Sequence, residues 1–117
     1  MVTAHHIVAF LVIAASFVAA AAAFLASRRR RGAGRIVVQV LALAQTVVVA
    51  QVALGLVLVG EHRRPADSLH YMYGTLALLA TFSPWLYAPG EPRRRLLWFG
   101  GATLVAGALA IRAYMTA

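Results

Sequence analysis

The chain has no cysteine and no lysine, and only three acidic residues, Glu61, Asp67 and Glu91. Without cysteine there are no disulfides, no Cys-ligated zinc or iron–sulfur clusters and no thiol catalysis. The shortage of acid excludes more. Small four-helix exporters that trade protons for cations need a carboxylate inside the membrane, and here every acid lies between the apolar runs. No paired carboxylates and no nucleophile–base pair occur within those runs, so the expectation is a protein without hydrolase or transferase chemistry.

What is abundant is apolar sequence. Of 117 residues, 62% are hydrophobic, too many for the polar surface a soluble domain of this size requires. A helix rising about 1.5 Å per residue crosses a bilayer in about 20 residues. Four runs meet that length, at about 4–27, 36–60, 68–88 and 96–116. The predicted fold class is an all-α integral membrane protein, a single four-helix up-down transmembrane bundle with short connections between antiparallel neighbours. Pro84, in TFSPWLY, is expected to kink or end the third run.

A formal net charge of +8 could suggest nucleic acid, but the arginines cluster between apolar runs, at RRRRGAGR (28–35), HRR (62–64) and RRR (93–95). Charge placed that way flanks membrane spans; the expected partner is a lipid bilayer, with no nucleic acid. The first and third connections carry the arginine excess. The second balances Arg63 and Arg64 with Glu61 and Asp67. The positive-inside rule then predicts a multi-pass protein of the inner (cytoplasmic) cell membrane, with both termini and the second loop outside. The first run is no cleaved signal peptide by pattern, because its basic cluster follows it.

In that topology all four histidines fall on the outer side. His5 and His6 lie on span one, His62 in the outer loop and His70 on span three. Residues four apart share a helix face, so His70 stacks over Gly74, His5 over Ala9, and Gln51 with Gly55. An imidazole above a small residue leaves space for a flat macrocycle, and histidine is a common axial ligand of haem iron. Arg63, Arg64 and Arg112 are candidate partners for the macrocycle's carboxylates. Periodicity does not choose between His5 and His6. Gln39 and Gln45 share no face with Gln51 and are read as interhelical hydrogen bonders. The terminal aromatic residues (Tyr71, Tyr73, Trp85, Tyr87, Trp98, Tyr114) are read as an interfacial belt.

The stretch 51–74, QVALGLVLVGEHRRPADSLHYMYG, resembles the haem A synthase family. Gln51, Leu54 and Gly55 make Q-x-x-L-G in an outward-running span, Pro65 sits in a short outer loop, and His70 begins the inward-running span. That family is built from two four-helix halves, with outer-side histidines on inward-running helices ligating haem. The resemblance implies haem b on His70, with His5 or His6 in place of the other ligand in a permuted half. The chain differs in having four spans rather than eight, no cysteine pair and no carboxylate beside His5 or His6, so haem binding rather than synthesis is implied.

Two functions are therefore expected. One is a small bis-histidine b-type haem protein, alone or as a homodimer, that carries electrons or holds haem during oxidase assembly. The other is a non-catalytic accessory subunit of a larger membrane (respiratory) complex. Copper or zinc on the same imidazoles ranks below haem, because a bare ion leaves the small residues beneath them without a role.

Overall fold

Long unbroken apolar runs with glycine and proline confined to their ends or to one face have a single way to satisfy every backbone N–H and C=O internally, the α-helix. The computed structural model describes residues 2–29, 34–65 and 67–117, and all regular structure among them is helical. The elements are α1 (Val2–Arg28), α2 (Gly34–Gly60), α3 (Leu69–Phe82), the single turn α4 (Pro84–Tyr87) and α5 (Pro92–Met115). Three of them, α1, α2 and α5, are long and apolar enough to cross a membrane. Arg30 and Arg31, two of the arginines on which the expected orientation rests, lie outside the described residues.

The third expected run, 68–88, divides in two. Fourteen residues of α3 span only about 21 Å, less than a hydrocarbon core of about 30 Å. Pro84 is the physical reason. It lacks an N–H and opens α4 as its first residue, while the Ser83 backbone N–H still closes on the Leu79 carbonyl at 2.8 Å.

The helices pack as a ring, α1 beside α2 and α5, and α3 beside α5 and, sparsely, α2. Residue pairs between neighbours run in opposite directions. Ala23 meets Gly100, and Ser16 with Phe17 meets Gly107. At the opposite corner His5 lies against Gly55. The arrangement is an antiparallel bundle 48 Å long.

The firmest seam is α1–α5. Every buried position of α1 falls on one stripe, His5, Ala9, Val12, Ser16, Ala19, Ala20, Ala23 and Ser27, mostly with small side chains. The facing stripe of α5 is Leu96, Phe99, Gly100, Thr103, Ala106 and Gly107. Small residues at helical spacing let two backbones approach closely. A Cβ added to Gly100 would lie 3.1 Å from the Ala23 Cβ, and one added to Gly107 would lie 3.2 Å from the Ser16 Cβ.

Polar contacts fasten the arginine end of this seam. Glu91 caps α5, its carboxylate accepting from the Arg93 and Arg94 backbone N–H groups at 3.1 and 2.8 Å. Those two N–H groups hold the Glu91 carboxyl below its ordinary value. Arg93 Nε donates to the Ser27 carbonyl at 3.1 Å, tying α5 to α1. The Arg95 guanidinium lies 5.5 Å from the Trp85 ring centroid and 5.2 Å from that of Phe99, which holds α4 on α5.

Candidate functional site

At the other end of the bundle the seam between α2 and α3 stays open. The chain enters α3 through Asp67, whose Oδ1 accepts from the Leu69 N–H at 2.9 Å and whose carbonyl accepts from the His70 N–H at 3.0 Å. Asp67's own N–H donates to the Thr116 carbonyl at 3.2 Å, so the first turn of α3 is tied to the last turn of α5. That anchoring sets the position of His70.

His70 Nδ1 lies 2.6 Å from the Ala113 carbonyl oxygen. A carbonyl only accepts, so Nδ1 carries the proton and donates, and neutral His70 keeps its lone pair on Nε2. A histidine held this way by its second nitrogen has the arrangement usual for a metal-ligating imidazole. Opposite it is His5, 8% exposed, with ring centroids 5.9 Å apart and planes at 74°. The two reach across the bundle from α1 and α3, helices that are diagonal in the ring.

His5 is poorly matched by hydrogen bonds. Its Nε2 stands 3.5 Å from the Gln51 amide nitrogen. His5 Nδ1 and Gln51 Oε1 are buried with no partner. Turning the amide over exchanges its two atoms and still leaves one of them, and one ring nitrogen, unmatched. A buried polar group without a partner costs on the order of 1–3 kcal/mol, so this corner has unspent hydrogen-bonding and ligating capacity.

Two voids adjoin the histidines. One, of about 60 Å³, reaches inward from them over a floor of Ala9, Ala77 and Ala110. The other is a cleft of about 290 Å³ between α2 and α3, lined by His5, His70, Gln51, Gly55 and Gly74 and reaching Arg63 and Arg64. The His5 ring packs over Gly55, where a Cβ would make ordinary contact at 3.4 Å from its Cε1; a Cβ on Gly74 would meet nothing within 4 Å.

The structure separates residues that periodicity could not. His5 is buried and faces His70, whereas His6 is exposed, still edges the cleft, and sets its ring 6.0 Å from Tyr114. His62 is exposed in the connection after α2. Arg112 is not among the cleft residues. Its guanidinium lies over the Tyr73 ring at 5.3 Å and its Nη2 is 3.5 Å from the Tyr73 hydroxyl. The Ala113 carbonyl had no sequence signal, because a backbone acceptor on another helix leaves no mark in side-chain pattern. Thr75 and Leu78, also in the cleft wall, look like ordinary apolar-run residues. Three or more His, Cys, Asp or Glu placed to share a bare metal ion do not occur among the described residues. Compared with family models, curated protein sequences and solved structures, the chain matches none.

Proposed function

We propose that this is a four-span membrane protein, N-out and C-out in the inner membrane, that binds b-type haem near the outer face for electron transfer or haem handling. The third crossing is made by α3 and α4 together, its break at Pro84 covered by α5. The observation that carries the haem reading is the His5–His70 pair. Imidazole nitrogens bind a metal at about 2 Å, so two rings that shared one iron would have centroids roughly 6 Å apart, and the 5.9 Å between His5 and His70 is close to that spacing.

The donor set fits haem better than a bare ion. His5 and His70 would hold a haem iron with no further protein ligand, whereas zinc or copper would need more protein ligands than these two imidazoles supply. His70 offers Nε2 because Ala113 holds Nδ1–H. His5 brings a buried ring with an unmatched nitrogen. Gly55, Gly74 and the alanine floor keep other side chains out of the space beside them. At about 290 Å³ the cleft lies at the lower edge of small-molecule sites, roughly 300–1,000 Å³, and its open side leaves room for a larger body. Bound haem supplies reversible one-electron exchange at iron; the protein's residues hold and orient it.

The test is an oxidised and a dithionite-reduced absorption spectrum of the detergent-purified protein from haem-replete cells. A Soret band with sharp reduced α and β bands is expected for the parent chain and for His6→Ala. His5→Ala and His70→Ala should lose or shift them. A colourless parent protein sinks the haem reading and leaves an accessory subunit, to be sought through what it co-purifies with.

A further inference from the structure

We propose that the α2–α3 seam is a lateral portal for a planar amphiphile bearing carboxylates, and that Arg63 and Arg64 are the cations that hold those carboxylates at its mouth. The proposal deepens the haem reading by naming the ligand's charged edge and its route, from the outer leaflet rather than from the aqueous side.

Three observations converge on it. The first is the open seam. Of the four neighbouring helix pairs in the ring, α2–α3 touches least, and α2 buries only Ala44, Val48 and Leu58 along its whole length. The cleft there is walled by Val52, Leu56, Val59 and Leu78, an apolar passage from the bundle's flank to the histidines.

The second is charge. Arg63 and Arg64 belong to the same cleft as His5 and His70, and both are exposed. Neither hydrogen-bonds nor ion-pairs through its guanidinium among the described residues, although Glu61 and Asp67 lie close in sequence. Asp67 is occupied instead with the Leu69 N–H. Arg112, the other cation of this end, is engaged by Tyr73. Two uncommitted guanidiniums above an apolar slot match a ligand with an apolar body and an anionic edge.

The third is the backbone that aims them. Helix α2 ends at Gly60 and is closed by a tight turn. It closes with His62 in the left-handed region, φ 62°, the His62 N–H on the Val59 carbonyl at 3.0 Å and the Arg63 N–H on the Leu58 carbonyl at 2.9 Å. This is a Schellman ending with histidine where glycine is usual. A non-glycine residue held there stores strain, and the turn folds Arg63 and Arg64 back over the end of α2 toward the cleft.

The test uses metal-free protoporphyrin IX, which has the carboxylates but no iron, and its dimethyl ester, which has neither charge nor iron. Binding to the full-length protein in detergent is read by porphyrin fluorescence. The parent chain is expected to bind the free acid about tenfold more tightly than the ester. Arg63→Gln/Arg64→Gln should bring the acid down to the ester's affinity and leave the ester unchanged. Leu56→Cys with Thr75→Cys, in a chain with no cysteine of its own, should slow porphyrin uptake when the two thiols are joined by a short cross-linker. Equal affinity for acid and ester, or a double variant that still prefers the acid, overturns the proposal. So does displacement of the porphyrin by phosphatidylglycerol that depends on both arginines, which would make a lipid headgroup the occupant. The porphyrin carries no iron and needs no imidazole ligand, so its binding is read independently of the haem spectrum, and a failed haem spectrum and a failed portal are separate results.

Discussion

Both seams of the bundle carry glycine, and they end up opposite. Along α1–α5, alanine, serine and glycine interlock so closely that a methyl group on Gly100 or Gly107 would fit only if its neighbours gave way by a few tenths of an ångström. Along α2–α3, Gly74 opens on empty space. A small residue is therefore ambiguous in itself. Facing another small residue it draws two helices together; facing a histidine or nothing, it leaves a site. The chain closes one side of the ring and leaves the other open.

Substitution of the glycines should expose that difference most strongly. Gly100→Ala and Gly107→Ala press a methyl group against Ala23 and against Ser16 and Phe17; overpacking of about 1–3 kcal/mol, offset by the roughly 0.5–1 kcal/mol alanine gains over glycine inside a helix, leaves each variant less stable than the parent in denaturant titration of the detergent-solubilised protein. Equal stability for these variants and the parent would show that the α1–α5 seam yields as readily as the open one. Gly74→Leu should leave stability within about 0.5 kcal/mol and abolish porphyrin or haem binding by filling the cleft, so the two seams would separate by which property they lose.

Smaller effects sharpen the contrast at either end. His62→Gly keeps the left-handed turn and removes its Cβ strain, partly offset by the greater freedom of unfolded glycine; a gain of about 0.5 kcal/mol is expected, with porphyrin binding retained. A loss of stability would show that His62 makes a contact worth more than the strain. At the arginine end, the Glu91 carboxyl is held below its ordinary value of 4.5 by the N–H groups of Arg94 and Arg93. A folded value lower than the unfolded one means that the cap's contribution is complete above pH 4.5 and is lost as the pH falls through the lowered folded value. The melting temperature of the parent should drop over that window by more than that of Glu91→Gln, whose cap does not titrate; parallel curves would remove Glu91 from the anchoring of α5.

Much of the architecture was legible in one dimension. The runs expected at 4–27, 36–60 and 96–116 appear as Val2–Arg28, Gly34–Gly60 and Pro92–Met115, because hydropathy and run length act locally and need no knowledge of neighbours. Pro84 announced the break in the third run for the same reason, through its missing N–H. His70 and its small neighbour Gly74 were readable as one helix face. The choice between His5 and His6 was not, since α1 is apolar on every side and its pattern has no polar face to orient it.

By itself, then, the sequence determined a helical chain, the approximate extent of its three long helices, the break at Pro84, the end at which the histidines gather, and the absence of cysteine and of acids within the apolar runs. Those properties follow from residue type and from hydrogen bonds within a few residues. Only the tertiary structure decided which seam closes, that His5 rather than His6 meets His70, that Ala113 holds His70's proton, and that Arg112 turns to Tyr73 while Arg63 and Arg64 reach the cleft. Each of these depends on how four helices share their faces. Packing of small side chains sets that by fractions of an ångström between residues far apart in the chain, and no short-range pattern records it.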